Sequence, residues 1–148
     1  MSVKQSTVIF SPGAGKTKRP PLREFARTLQ AEVAGGRSFD VLITDDAELE
    51  RLNREFRKKS YPTDVLSFGS GESEGFLGEI AISEARADAQ AIEQGHSRDC
   101  ELRILMLHGV LHLTGLDHEK DGGKMARAER RWRKYFGLPA GLIERAHA

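Results

Sequence analysis

The sequence predicts an α/β (α+β) fold, one domain spanning residues 1–148, with a small mixed sheet packed by about five helices. Three observations carry that reading. In the first half, short apolar runs rich in β-branched residues alternate with stretches whose apolar residues recur at helical spacing. The second half is almost entirely of helical period. At 148 residues, 39% hydrophobic and 30% charged, the chain is long enough for one core and has the balance of a soluble globular protein.

Val3 to Phe10 reads as the first strand, followed by a loop of Gly, Pro and Lys from Ser11 to Pro21. Leu22 to Ala34 carries Leu22, Phe25, Ala26, Leu29 and Val33 on one helical face, and Gly35-Gly36 closes it. Phe39 to Thr44 is a short β-rich run. Asp45, with Glu48 three residues on, is placed to cap a helix that runs to about Arg57 with Leu49, Leu52 and Phe56 inward. Val65 to Phe68 is the next strand, Gly69 to Gly75 a polar loop, and Phe76 to Ser83 a further strand whose Gly78 suggests a close backbone approach. Ser83 caps a helix to about Gln94, closed by Gly95; Ser97 opens another to about Thr114; a last helix covers Lys124 to Phe136 and ends at Gly137 and Pro139.

Composition excludes several classes of function. The net charge is +1, so any affinity for nucleic acid has to come from local charge rather than the whole chain. A lone cysteine, Cys100, permits no intrachain disulfide and fits a reducing, cytoplasmic setting. It sits beside Asp99 and Glu101 with no evident base, so it reads as a small packed side chain. The N-terminus has no apolar signal core, and no stretch approaches the ~20 apolar residues of a membrane span. Ser11 to Thr17 superficially suggests a phosphate-binding loop. The position where that loop needs its first glycine is Phe10, so no nucleotide cofactor is expected.

The chemistry concentrates in residues 104 to 118, Ile-Leu-Met-Leu-His-Gly-Val-Leu-His-Leu-Thr-Gly-Leu-Asp-His. That helix is apolar nearly all round, which predicts burial. His108 and His112, four apart, lie on one face one turn from each other. Gly115 permits a sharp turn, and His118 can then fold back as a third ligand. Three histidines with an open position are the ligand set of a catalytic zinc site, where bound water ionises near pH 7. Unrelated histidines are the competing account. Three of the chain's five within eleven residues, two of them in a buried helix, weigh against it, because unpartnered buried imidazoles are costly. Imidazole also suits nickel, copper and iron.

The spacing His-x-x-x-His-x-x-Gly-x-x-His is that of metzincin proteases, which place Glu immediately after the first histidine as general base. Here that position is Gly109, which disfavours a peptidase. Metal-assisted hydrolysis of a peptide or amide bond stays as an alternative. So does a non-enzymatic assembly factor with a structural metal. Cys100 lies about 12 Å from His108 by helix rise, too far to close such a site as fourth ligand.

The run His108-Gly109-Val110-Leu111-His112-Leu113-Thr114-Gly115-Leu116-Asp117-His118 resembles the signature of the YbeY family of bacterial metal-dependent endoribonucleases. Two further blocks are similar to that family: Leu52 to Arg57 followed by Pro62 to Phe68, and Leu77-Gly78-Glu79-Ile80. Where the family usually has Pro and Asp, this chain has Gly69 and Glu79. The resemblance implies an endoribonuclease directed at single-stranded RNA. It would act in ribosomal RNA 3′-end maturation and ribosome quality control, with the small ribosomal subunit as partner and no membrane association. It also implies one zinc on His108, His112 and His118, with catalytic roles for Arg57 and for His108.

Residue by residue, Arg57 suits a bidentate grip on phosphate, while a solvated arginine favoured by the helix dipole is the plainer account. Two basic clusters, Arg51, Arg54, Arg57, Lys58 and Lys59 in one and Lys16, Lys18, Arg19 and Arg23 in the other, can track an RNA backbone or be solvated faces. Arg127, Arg130, Arg131, Arg133 and Lys134 on the last helix are interrupted by Glu129. Thr63 and Asp64 can shape a turn, Asp117 can orient a ligand, and Trp132, Tyr135 and Phe136 read as core.

Overall fold

The structure, a computed structural model, describes residues 5–11, 19–57, 65–69, 75–116 and 122–146. Four strands, β1 (Thr7–Phe10), β2 (Ser38–Thr44), β3 (Val65–Gly69) and β4 (Phe76–Ser83), form one sheet in the order β1-β2-β4-β3. β1, β2 and β4 run parallel, and β3 pairs antiparallel with β4 at the edge. Six helices stand among the described residues: α1 (Arg19–Glu32), α2 (Asp46–Arg57), α3 (Glu84–Gln94), α4 (Arg98–Leu113), α5 (Lys124–Tyr135) and α6 (Leu142–Ala146). A mixed sheet followed by a helical finish is what the sequence predicts.

The differences have local causes. Gln5 and Ser6 lie outside β1, so the strand is shorter than the expected Val3 to Phe10. Ser6 spends its backbone N–H on the Gln30 side-chain oxygen (2.8 Å), and its hydroxyl accepts from Phe39 N (3.0 Å). Helix α1 begins at Arg19 rather than Leu22, with Pro20 and Pro21 in the first turn, where a missing N–H costs nothing. Helix α6 was not expected at all, because five residues are too few to display a period. The expected caps formed: Asp45 accepts from Glu48 N (2.8 Å), Ser83 from Arg86 N (3.2 Å) and Ser97 from Cys100 N (3.1 Å).

Strand alternation gives the sheet two apolar faces. Val8, Phe39, Val41, Ile43, Ile80 and Ile82 join the main core with α1 and α4, whereas Leu42, Leu66 and Ala81 pack beneath Leu49 and Leu52 of α2. Helix α4 lies at the centre, against α1, α3, α5, α6, β3 and β4, which is why it tolerates an apolar surface all round. At Gly78 the backbone has φ +144°, and an added Cβ would overlap the Phe68 carbonyl oxygen and sit 3.0 Å from Gly69 Cα. Glycine there lets β4 bulge past one residue of β2, between Ser38 and Phe39, while still closing on β3.

Candidate metal centre

Helix α4 brings His108 and His112 together. Their ring centroids are 4.8 Å apart with planes at 74°. His108 is 7% exposed, and its Nδ1 meets Oε2 of Glu129 at 2.8 Å. Glu129 comes from α5, is 1% exposed, and uses Oε1 to accept from Ile143 N at 2.9 Å. An ionised carboxylate only accepts hydrogen bonds, so the imidazole proton belongs on Nδ1 and the lone pair on Nε2. A carboxylate behind one imidazole with a second imidazole one turn away is the donor chemistry of a divalent transition-metal site, and zinc fits it.

Sequence reasoning read Glu129 as a break in a basic run and missed this role. A signal was present. Glu129 stands four residues after Met125 and three before Trp132, on the stripe of α5 that faces the core. A charged residue on an apolar stripe is a candidate for a specific partner.

The three motif blocks meet around α4. Ser67 of β3 donates its hydroxyl to the Gly109 carbonyl (3.3 Å). A Cβ at Gly109 would come within 2.9 Å of Ile80 Cγ2, so this glycine lets the helix seat on β4. The position after the first histidine therefore faces the sheet. A glutamate has no room there, which deepens the argument against a metzincin-like base. Glu79 points elsewhere: it is exposed and lines the opposite face of the sheet with Asp40, Leu42 and Phe68, in a groove of about 710 Å³.

Other expected site residues are only partly placed. His118, Asp117, Pro62, Thr63 and Asp64 lie outside the described residues. Arg57 ends α2, and its side chain is likewise outside them. Gly115 has φ +102°, so the chain does turn after α4. Among the described residues no three of His, Cys, Asp and Glu gather as a metal site; what stands there is the His108–His112 pair with Glu129 behind His108.

Several cations offered for RNA are engaged within the protein. Arg51 pairs with Glu48 and Glu55, Arg54 with Glu50 at 3.5 Å, and Arg133 forks onto Glu144 at 2.8 Å. Arg131 stacks 5.3 Å over the Trp132 ring. Trp132 and Phe136 pack against the core as expected, but Tyr135 is 63% exposed and donates its hydroxyl to Glu32 (3.1 Å). Burial, followed by the charges of Glu101 and Asp99, pushes the Cys100 thiol up, consistent with an unreactive side chain. Among the described residues no helix is long and apolar enough to cross a membrane.

The family model for Endoribonuclease YbeY matches residues 17–137. A curated Endoribonuclease YbeY from Solibacter usitatus is 58% identical over 147 residues, covering 99% of both chains. One from Koribacter versatilis is 54% identical over 105 residues, covering 71% of this chain and 68% of its own. Among solved structures, the solution structure of TM1509 from Thermotoga maritima superposes with a TM-score of 0.63 at 27% identity, covering 88% of this chain and 89% of that one.

Proposed function

Because the chain belongs to the YbeY endoribonuclease family, we propose that it is a zinc-dependent endoribonuclease acting on single-stranded RNA. In this reading its substrate is ribosomal RNA of the small subunit, and its tasks are 3′-end maturation and ribosome quality control in the cytoplasm. The endoribonuclease part is supported by a relative of that name matched along nearly the whole chain. The metal part rests on one observation: a buried imidazole whose Nδ1 is held by a fully buried carboxylate, with a second imidazole beside it.

His108, His112 and His118 would hold the ion, and zinc there would supply Lewis acidity toward a phosphate oxygen and a more acidic water. The chain's own residues do the rest. Glu129 keeps the His108 proton on Nδ1. Ser67 and Gly109 fix the helix that carries both histidines to the sheet. Arg57 would place a planar, permanently charged fork on the scissile phosphate, where charge grows as the bond to oxygen breaks.

The test pairs metal analysis with cleavage of a single-stranded RNA, for the native chain and for His112→Ala. One zinc per chain is expected, with both zinc and cleavage lost in the variant and cleavage lost from native protein after chelation. Zinc retained with no cleavage of ribosomal RNA fragments would favour an assembly factor with a structural metal. Native protein without metal under non-chelating conditions would overturn the reading.

A further inference from the structure

We propose that Glu129 is the positioning residue for His108, and that the turn at Gly141–Ile143 in turn positions Glu129. This rests on the metal reading above. Glu129 is 1% exposed and has two acceptor oxygens, each with one donor: His108 Nδ1 at 2.8 Å and Ile143 N at 2.9 Å. Among the described residues no guanidinium or ammonium lies within ion-pair distance of it. The geometry is tight as well. A Cβ on Gly141 would overlap the carboxyl and come within 2.7 Å of Glu129 Cγ, so a side chain there would displace the carboxylate.

These constraints make glutamine a sharp probe. Its amide has one acceptor and one donor end, whereas the site offers two donors. With the oxygen toward Ile143 N, the amide NH2 faces His108 Nδ1. The ring must then carry its proton on Nε2, the atom a metal needs. With the oxygen toward His108, the NH2 meets the Ile143 N–H and the anchor fails. Gly141→Ala approaches the same point from the other side: the charge stays but the carboxylate moves.

The experiment measures zinc affinity by competition with a chromogenic chelator, and the His108 tautomer in metal-free protein from its ring 15N shifts. Glu129→Gln should weaken zinc roughly 10- to 100-fold and raise the Nε2–H tautomer. Gly141→Ala should weaken zinc in the same direction. Leu49→Ala opens a cavity on the far face of the sheet and controls for general destabilisation; it should leave both readouts unchanged. Folded Glu129→Gln and Gly141→Ala proteins that bind zinc within about twofold of native, with the His108 tautomer unaltered, would overturn the assignment. Native protein that takes up no zinc would instead overturn the metal reading on which the assignment stands.

Discussion

Two fully buried glutamates, one on helix α4 and one packed against it, are compensated differently. Glu101, on the helix itself and 0% exposed, receives the Arg145 guanidinium as a fork (2.7 and 2.9 Å) and His96 Nε2 at 2.7 Å. Glu129, almost as buried, receives an imidazole nitrogen and one backbone N–H. Removing a carboxylate from water costs several kcal/mol, recovered only by close, well-aligned partners. Glu101 has a full cation on both oxygens and ties α6 to α4. Glu129 has none among the described residues, so its charge is met by the His108 imidazole and one backbone N–H. Both carboxylates bridge elements, Glu101 joining α6 to α4 and Glu129 joining α5 to α4 and α6, but only Glu101 does so with a guanidinium.

Substitution can sharpen this contrast. Glu101→Gln should leave Arg145 without its charge partner and lower unfolding free energy by about 3 kcal/mol, read by urea denaturation, with zinc affinity within twofold of native. Glu129→Gln should show the opposite pattern, a large zinc effect with a stability cost near 1 kcal/mol as a charge-assisted hydrogen bond becomes a neutral one. Equal effects of the two substitutions on zinc would break the contrast.

Between the two ends, Gly109 seats α4 on Ile80. Gly109→Ala should push helix and sheet apart and cost about 2 kcal/mol by overpacking, visible as a lower thermal midpoint. A neutral result would mean that Ile80 rotates aside.

The smallest expected effect concerns acid. The Arg133 fork, with help from Gly141 N, holds the Glu144 carboxyl below its ordinary 4.5. A depressed carboxylate stabilises the fold fully above its unfolded pKa, and that contribution disappears as pH falls through the lower folded value. Native protein should therefore lose stability more steeply than Glu144→Gln below about pH 4.5, by less than about 1 kcal/mol because the pair is partly solvated. Identical acid titrations of stability would show that this pair contributes nothing.

Much of this was legible in the chain. The three caps and the buried α4 follow from short-range rules, in which one residue constrains another three or four positions away, and the close backbone approach expected at Gly78 is met at Phe68. The pairing of His108 with His112 followed from the same helical spacing. What stayed hidden depends on tertiary approach. Glu129 lies twenty-one residues from His108, and only the crossing of α5 over α4 makes them partners. Ser67 and Gly109, forty-two apart, meet only because β3 returns along β4. The basic clusters were only partly legible for a related reason: charge counts do not show that Arg51 and Arg54 face Glu48, Glu55 and Glu50.

The anchoring of Glu129 by Ile143 also sets an order of assembly during synthesis. His108 and His112 leave the ribosome before the carboxylate that orients them, and the backbone N–H that fixes the carboxylate follows later still. The carboxylate that meets His108 is therefore held by a backbone group thirty-five residues further along the chain, so a change at the Gly141–Ile143 turn is felt at a helix made well before it.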